Sequence, residues 1–223
     1  ILTMASWPRY DPSHWQDILK ADPKNGLERF MNPAISAVYE PGSTFKSILA
    51  AIGLDAGAFT QYTTVDDIGT YQTDQIPGGI HNWCLDYCSL SYNKSGGYGG
   101  TVQDMLHWSS NVAAAKFAQM IQPVPVLYDY LKKFSFTQPT GVDLAGETSG
   151  SFVDPNSKSQ IWAPADRDTI GYGQGIDMTP LELINAYAAL ANGGKLMVPH
   201  IVQSYALDGH TVTIQPQVRS QAI

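Results

Sequence analysis

Glu40-Pro41-Gly42-Ser43-Thr44-Phe45-Lys46 sets a serine and a lysine three positions apart where a helix should begin. Pro41 ends any preceding helix, and Gly42 permits a sharp turn into a new one. Beyond them Phe45, Ile48, Leu49 and Ile52 recur at i, i+3, i+4 and i+7, the stripe of a helix with one buried face. Ser43 and Lys46 therefore fall one above the other on the first turn. A serine hydroxyl is a weak nucleophile until a neighbouring base takes its proton. Lysine serves as that base only when burial or a nearby cation keeps its amine neutral. Taken alone, the heptapeptide also fits a solvated Ser and Lys on a helix that merely packs.

Working outward, Asn32 to Lys46 is followed by two further segments of note. Thr101-Val102-Gln103-Asp104 has the form of a capping box opening a helix that contains Met105, Leu106 and Trp108. Ser109-Ser110-Asn111 should interrupt that helix, because all three side chains compete for backbone hydrogen bonds. A second helix from Val112 to Ile121 follows and stops before Pro123. Ser110 and Asn111 then lie between the two helices, where two readings stand: a plain interhelical loop, or, given the Ser43–Lys46 pair, a tight turn projecting into a cleft beside Ser43. Later, Gly171, Gly173 and Gly175 are spaced wrongly for a dinucleotide fingerprint and sit in no βαβ unit, so close backbone packing is their better reading. Thr179-Pro180-Leu181-Glu182 starts a helix with N-cap, Pro and Glu in place, running through Ala191 to Asn192-Gly193-Gly194.

The remaining chain reads less firmly. Ile1 to Ser6 is expected as the end of a strand, Ser13 to Lys20 as a short helix capped by Ser13, and Val124 to Phe134 as a helix. Residues 58–100 are expected to form loops and small hairpins without a catalytic group, His81 included. Val198 to Tyr205 and Thr211 to Ile214 read as strands joined by a turn at Asp208-Gly209. Asp143, Glu147 and Asp154 read as solvated loop charges and not as a catalytic pair.

At 223 residues the chain suits one domain with a real core, and a net charge of −7 without any basic cluster argues against nucleic-acid binding. No apolar run reaches the ~18 residues that span a bilayer. Cys84 and Cys88, beside His81, leave three readings open: free thiols, a local disulfide, or an incomplete zinc site.

The run from Asn32 to Lys46 resembles the nucleophile segment of class B penicillin-binding proteins, the monofunctional peptidoglycan D,D-transpeptidases. Ser109-Ser110-Asn111 has the form of that family's S-x-N motif, and Gly171 to Leu181 resembles its glycine-rich entry into a late core helix. The resemblance implies an α+β fold of the penicillin-recognising serine transferase type: an antiparallel sheet flanked by helices, plus an all-helical lobe. It implies Ser43 as nucleophile, Lys46 as its base, Ser110 as a proton relay and Asn111 as a substrate-binding residue, with no cofactor and no metal. Expected partners are peptidoglycan stem peptides, β-lactam antibiotics, and a membrane-embedded glycosyltransferase with division or elongation proteins. The expected location is the extracytoplasmic face of a bacterial membrane, held by an N-terminal segment outside these residues. That oxidising compartment favours the disulfide at Cys84 and Cys88. The family's K-T-G motif is not found, so residues 1–223 are expected to be a partial transpeptidase domain, lacking its first strand and the K-T-G strands. A β-lactam sensor, a β-lactamase of the same fold and a non-catalytic scaffold are the competing classes; an aliphatic residue is usual in sensors and class D β-lactamases where Asn111 stands.

Overall fold

The computed structural model describes residues 1–7, 9–83, 100–157 and 162–223. Cys84 and Cys88 lie outside the described residues. Among those described, the helices are α1 (Trp15–Ala21), α2 (Pro33–Ser36), α3 (Lys46–Asp55), α4 (Val102–Trp108), α5 (Asn111–Met120), α6 (Val124–Lys133), α7 (Pro164–Gly171) and α8 (Pro180–Ala191). The strands are β1 (Thr70–Tyr71), β2 (Ile80–His81), β3 (Ser151–Phe152), β4 (Ile176–Asp177), β5 (Lys195–Met197), β6 (Ser204–Leu207), β7 (His210–Thr213) and β8 (Val218–Gln221). They pair antiparallel as β1–β2, β3–β4, β5–β8 and β6–β7. The class is α+β, with the strands in short two-stranded units around a helical centre.

α3 is the hub. The predicted stripe of Phe45, Ile48, Leu49 and Ile52 is wholly buried. It packs against Ala113, Ala114 and Phe117 of α5, Met178, and Phe136 beyond α6 in one continuous core. The Phe45 and Phe136 rings lie 6.2 Å apart, and Phe59 and Phe117 lie 4.7 Å apart. Each such side chain contributes about 1.5–3 kcal/mol. Four of them more than offset the cost of burying one polar group in the same helix, which matters for Lys46 below. Two glycines permit the tightest approaches. A Cβ at Gly53 would stand 2.0 Å from the Phe59 ring, and one at Gly171 would stand 2.8 Å from the Ala114 carbonyl on α5.

Local signals explain the helix starts. Thr101 and Asp104 close a capping box on α4, and Thr179 and Glu182 close one on α8. Three expectations need correction. Residues 1–7 form no strand, since no described segment pairs with them. Asp11 and not Ser13 caps the first turn: its carboxylate accepts from the Ser13 N–H at 2.8 Å, and a 3-10 turn over Pro12–His14 leads into α1. The late hairpin is shorter than expected, beginning at Ser204, because Ile201 and Val202 give their N–H groups to the Asp143 carboxylate. That carboxylate is held below its usual range by those backbone donors, so it ties loops together. Glu147 does the same for Thr140 and Gly141. Among the described residues no helix is long and apolar enough to cross a membrane.

Candidate active site

The turn that carries Ser43 is a 3-10 turn over Gly42–Phe45 that runs directly into α3. In a 3-10 turn residues i and i+3 eclipse, so Ser43 and Lys46 stand closer in line than in an α-helix. Gly42 has φ +56°, a left-handed conformation that lets the chain swing from Pro41 into the helix. The turn is clamped from outside. Tyr39 and Met178 exchange both backbone hydrogen bonds, at 3.1 and 3.0 Å, and the Gly42 N–H reaches the Gly173 carbonyl at 2.9 Å. The Gly175 N–H donates to the Glu40 carboxylate at 2.7 Å. Gly173 has φ +80°, and a Cβ there would meet the Gly42 carbonyl oxygen at 2.0 Å. Gly173 is thus a close-approach glycine, in keeping with the sequence reading.

Ser43 is exposed while Lys46 is 1 % exposed. The Lys46 Nζ lies 3.1 Å from the Ser43 Oγ, 2.6 Å from the Ser109 carbonyl oxygen, 3.1 Å from the Ser109 Oγ and 2.8 Å from the Asn111 Oδ1. Burial pushes its pKa down to about 8. The geometry suits the neutral amine. Ser109 O and Asn111 Oδ1 can only accept, and they take the two N–H groups at the shorter distances. The lone pair is then left for a hydroxyl, and Ser43 Oγ offers one.

The Ser109-Ser110-Asn111 turn brings two of its three side chains to Lys46, and they are Ser109 and Asn111. Ser109 ends α4 in the left-handed region, at φ 55° and ψ 43°. A non-glycine residue there is costly by about 1–3 kcal/mol and is found where surrounding structure enforces it. Ser110 does not join them, which corrects the relay assignment. It is the N-cap of α5, and its Oγ accepts from the Ala113 N–H at 2.9 Å. Its proton goes to the Asp67 carboxylate at 2.6 Å, in a pocket where Ser110 is fully buried. An N-cap side chain must turn back towards its own helix, so it is not free to face Ser43. The signal was present in the sequence: in an S-x-N pattern the serine stands two residues before the asparagine, which is Ser109.

Other polar residues have structural duties. His81 Nε2 contacts the Gly78 carbonyl at 2.6 Å on the surface. Glu182 is buried and accepts from Gly150 and Thr179 N–H groups, while burial raises its pKa. Among the described residues no His, Cys, Asp and Glu cluster could hold a metal.

An exposed serine, a buried lysine of depressed pKa and a serine–asparagine pair on an adjoining turn make up the candidate site. The family described as "Penicillin binding protein transpeptidase domain" matches residues 1–222. The chain belongs to that family. It is 30% identical over 217 residues to penicillin-binding protein PbpB of Mycobacterium tuberculosis, covering 97% of this chain and 29% of PbpB. It is 30% identical over 233 residues to the peptidoglycan D,D-transpeptidase MrdA of Escherichia coli, covering 97% of this chain and 34% of MrdA. The chain thus spans about a third of the length of these relatives. Among solved structures it resembles PBP2 of Pseudomonas aeruginosa in complex with WCK 5153, with a TM-score of 0.78 and 26% identity over 100% of this chain and 51% of that one. It also resembles PBP3 of Mycobacterium tuberculosis complexed with ampicillin, with a TM-score of 0.70 and 28% identity over 86% of this chain and 40% of that one.

Proposed function

We propose that the protein carrying this chain is a peptidoglycan D,D-transpeptidase working through an acyl-serine intermediate on Ser43. The observation that carries the reading is the 3.1 Å approach of a buried, neutral-tending Lys46 amine to an exposed Ser43 hydroxyl. Lys46 takes the Ser43 proton as Oγ attacks the carbonyl of the penultimate D-Ala of a stem peptide. The tetrahedral oxyanion is met by the Ser43 backbone N–H at the start of the helix. Ser109, whose hydroxyl lies 3.1 Å from Lys46, carries the proton on to the leaving D-Ala amine. Asn111 uses its amide to hold both Lys46 and the substrate backbone. An amine from a second stem peptide then takes the acyl group, reforming a peptide bond and freeing Ser43. A β-lactam offers the same carbonyl in a ring, so its leaving nitrogen stays tethered and Ser43 stays acylated.

In this reading the ligands are peptidoglycan stem peptides and β-lactam antibiotics, and the site faces the outside of a bacterial membrane. A membrane-embedded glycosyltransferase and division or elongation proteins are the proposed partners. The test is release of D-alanine from a stem pentapeptide by the protein at its natural length. Release that vanishes in Ser43→Ala and rises with an acceptor amine supports the reading. Fast turnover of a penicillin adduct would instead point to a β-lactamase of this fold.

A further inference from the structure

The segment from Asp66 to Trp83 was expected to be chemically idle, yet its side chains hold the Ser109–Asn111 turn from behind. Asn82 is 3 % and Asp67 7 % exposed. The Asn82 Oδ1 accepts from the Asn111 and Val112 N–H groups at 2.9 and 3.1 Å. These are first-turn N–H groups of α5, which have no partner inside the helix. The Ser110 Oγ takes the third, from Ala113. Asn82 Nδ2 donates to both oxygens of Asp67, at 3.0 and 3.2 Å. Asp67 also accepts from the Ser110 hydroxyl and from the Gly69 N–H. A carboxylate can only accept, so it fixes which end of the Asn82 amide faces the helix.

The neighbours of Asn82 complete the grip. The His81 carbonyl accepts from the Asn111 Nδ2 at 3.0 Å, which turns Asn111 Oδ1 towards Lys46. The Trp83 Nε1 donates to the Trp108 carbonyl at 3.1 Å, one residue before the left-handed Ser109. From the other side, the Lys116 ammonium on α5 donates to the Asp66 carbonyl and sits 5.2 Å from the centre of the Tyr71 ring.

We propose that Asp67 and Asn82 are positioning residues for the reaction at Ser43: together they fix where α5 begins and so place Ser109 and Asn111 on Lys46. This rests on the reading of Ser43 as nucleophile. Neither residue touches Lys46 or Ser43. Their effect passes through the register of α5, since a start displaced by one residue rotates every α5 side chain by about 100°. Asn111 would then leave Lys46, and Ser109 would lose its left-handed corner. An apolar residue at position 82 would fill the space but leave the Asn111 and Val112 N–H groups without their acceptor.

The experiment measures single-turnover acylation by a fluorescent penicillin in the protein at its natural length. Three variants are compared: Asn82→Asp, Asp67→Asn, and the exchange that carries both. Asn82→Asp sets a second carboxylate against that of Asp67 and removes the Asn82 Nδ2 donor between them. Its acylation rate constant should fall on the order of tenfold to a hundredfold, as for misplaced reacting groups, with little change in initial penicillin affinity. The exchange restores one amide and one carboxylate, and every donor again has an acceptor. It should recover most of the rate and return the pH midpoint of acylation to the wild-type value. A merely structural role would reduce the amount of folded protein without moving that midpoint. A folded Asn82→Asp with wild-type rate and midpoint overturns the proposal, and so does an exchange no better than the single variants. If all three variants fail to fold, the cluster is a folding element and the proposal is likewise overturned. Should the wild type itself resist acylation, the function proposed above fails. The positioning claim is then decided by NMR titration of the Lys46 Nζ, which must differ between wild type and Asn82→Asp.

Discussion

Acylation of Ser43 should follow the deprotonation of Lys46, and the structure sets where on the pH scale that occurs. Burial takes the Lys46 pKa from 10.5 down to about 8, and no charged partner is needed to explain the shift. With the lower value about a tenth of the molecules carry a neutral amine at pH 7, against ~0.03% for an unperturbed lysine. The neutral fraction is then ~1% at pH 6 and ~50% at pH 8. The rate constant for penicillin acylation should therefore rise about tenfold from pH 6 to 7 and about fivefold more to pH 8, then level off. Rapid-quench mixing of protein with a labelled penicillin, read by intact mass, gives that rate constant at each pH. Lys46→Arg keeps the charge but holds no neutral amine, and it should acylate at least ~100-fold more slowly at every pH. A rate independent of pH between 6 and 9, or one still climbing at pH 10, would refute Lys46 as the base.

Further predictions follow from the same geometry. The unfolded lysine binds its proton more tightly than the folded one, so Lys46 disfavours the folded state below pH 8. That cost is about 3 kcal/mol for a shift of this size, and it disappears as pH rises from about 8 to 10.5. The unfolding free energy of wild type minus that of Lys46→Met should thus grow over that window, as chemical denaturation at several pH values would show. Ser109→Ala should slow acylation with little loss of stability. Ser110→Ala should destabilise by about 1–3 kcal/mol through the lost N-cap and an unpaired Asp67, so thermal melts and acylation rates of the two variants should rank oppositely. Gly173→Ala, with φ +80° and a Cβ 2.0 Å from the Gly42 carbonyl, should separate the clamp from the nucleophile turn and abolish acylation. A Gly173→Ala protein that acylates normally would show that the clamp is dispensable.

What could be read from the sequence was local. The spacing of Phe45, Ile48, Leu49 and Ile52 reveals α3, because one helical period is enough to show which side is buried. The Thr101–Asp104 and Thr179–Glu182 pairs reveal two helix starts, since a capping box is closed within four residues. The Ser43–Lys46 pairing was legible for the same reason. What escaped depends on distant partners. Asp67 and Asn82 lie 43 and 28 residues before Ser110 and carry no motif of their own. The choice of Ser109 over Ser110, by contrast, was legible in the S-x-N spacing, which sets the serine two residues before Asn111. Helix α7 was missed because Pro164-Ala-Asp-Arg-Asp-Thr-Ile-Gly shows little apolar periodicity; it buries Ile170, Gly171 and a polar residue, Asp168, which accepts from Gln119 of α5. The first seven residues have alternating character but no described partner strand, and pairing is what makes a strand.

The most direct measurement is peptide mapping of the protein, at its natural length, after reaction with a penicillin. The account predicts one stable adduct, on the peptide containing Ser43, absent in Ser43→Ala and strongly slowed in Lys46→Arg. An adduct on Ser109 or Ser110, or an adduct on Ser43 that forms equally fast without Lys46, would contradict it.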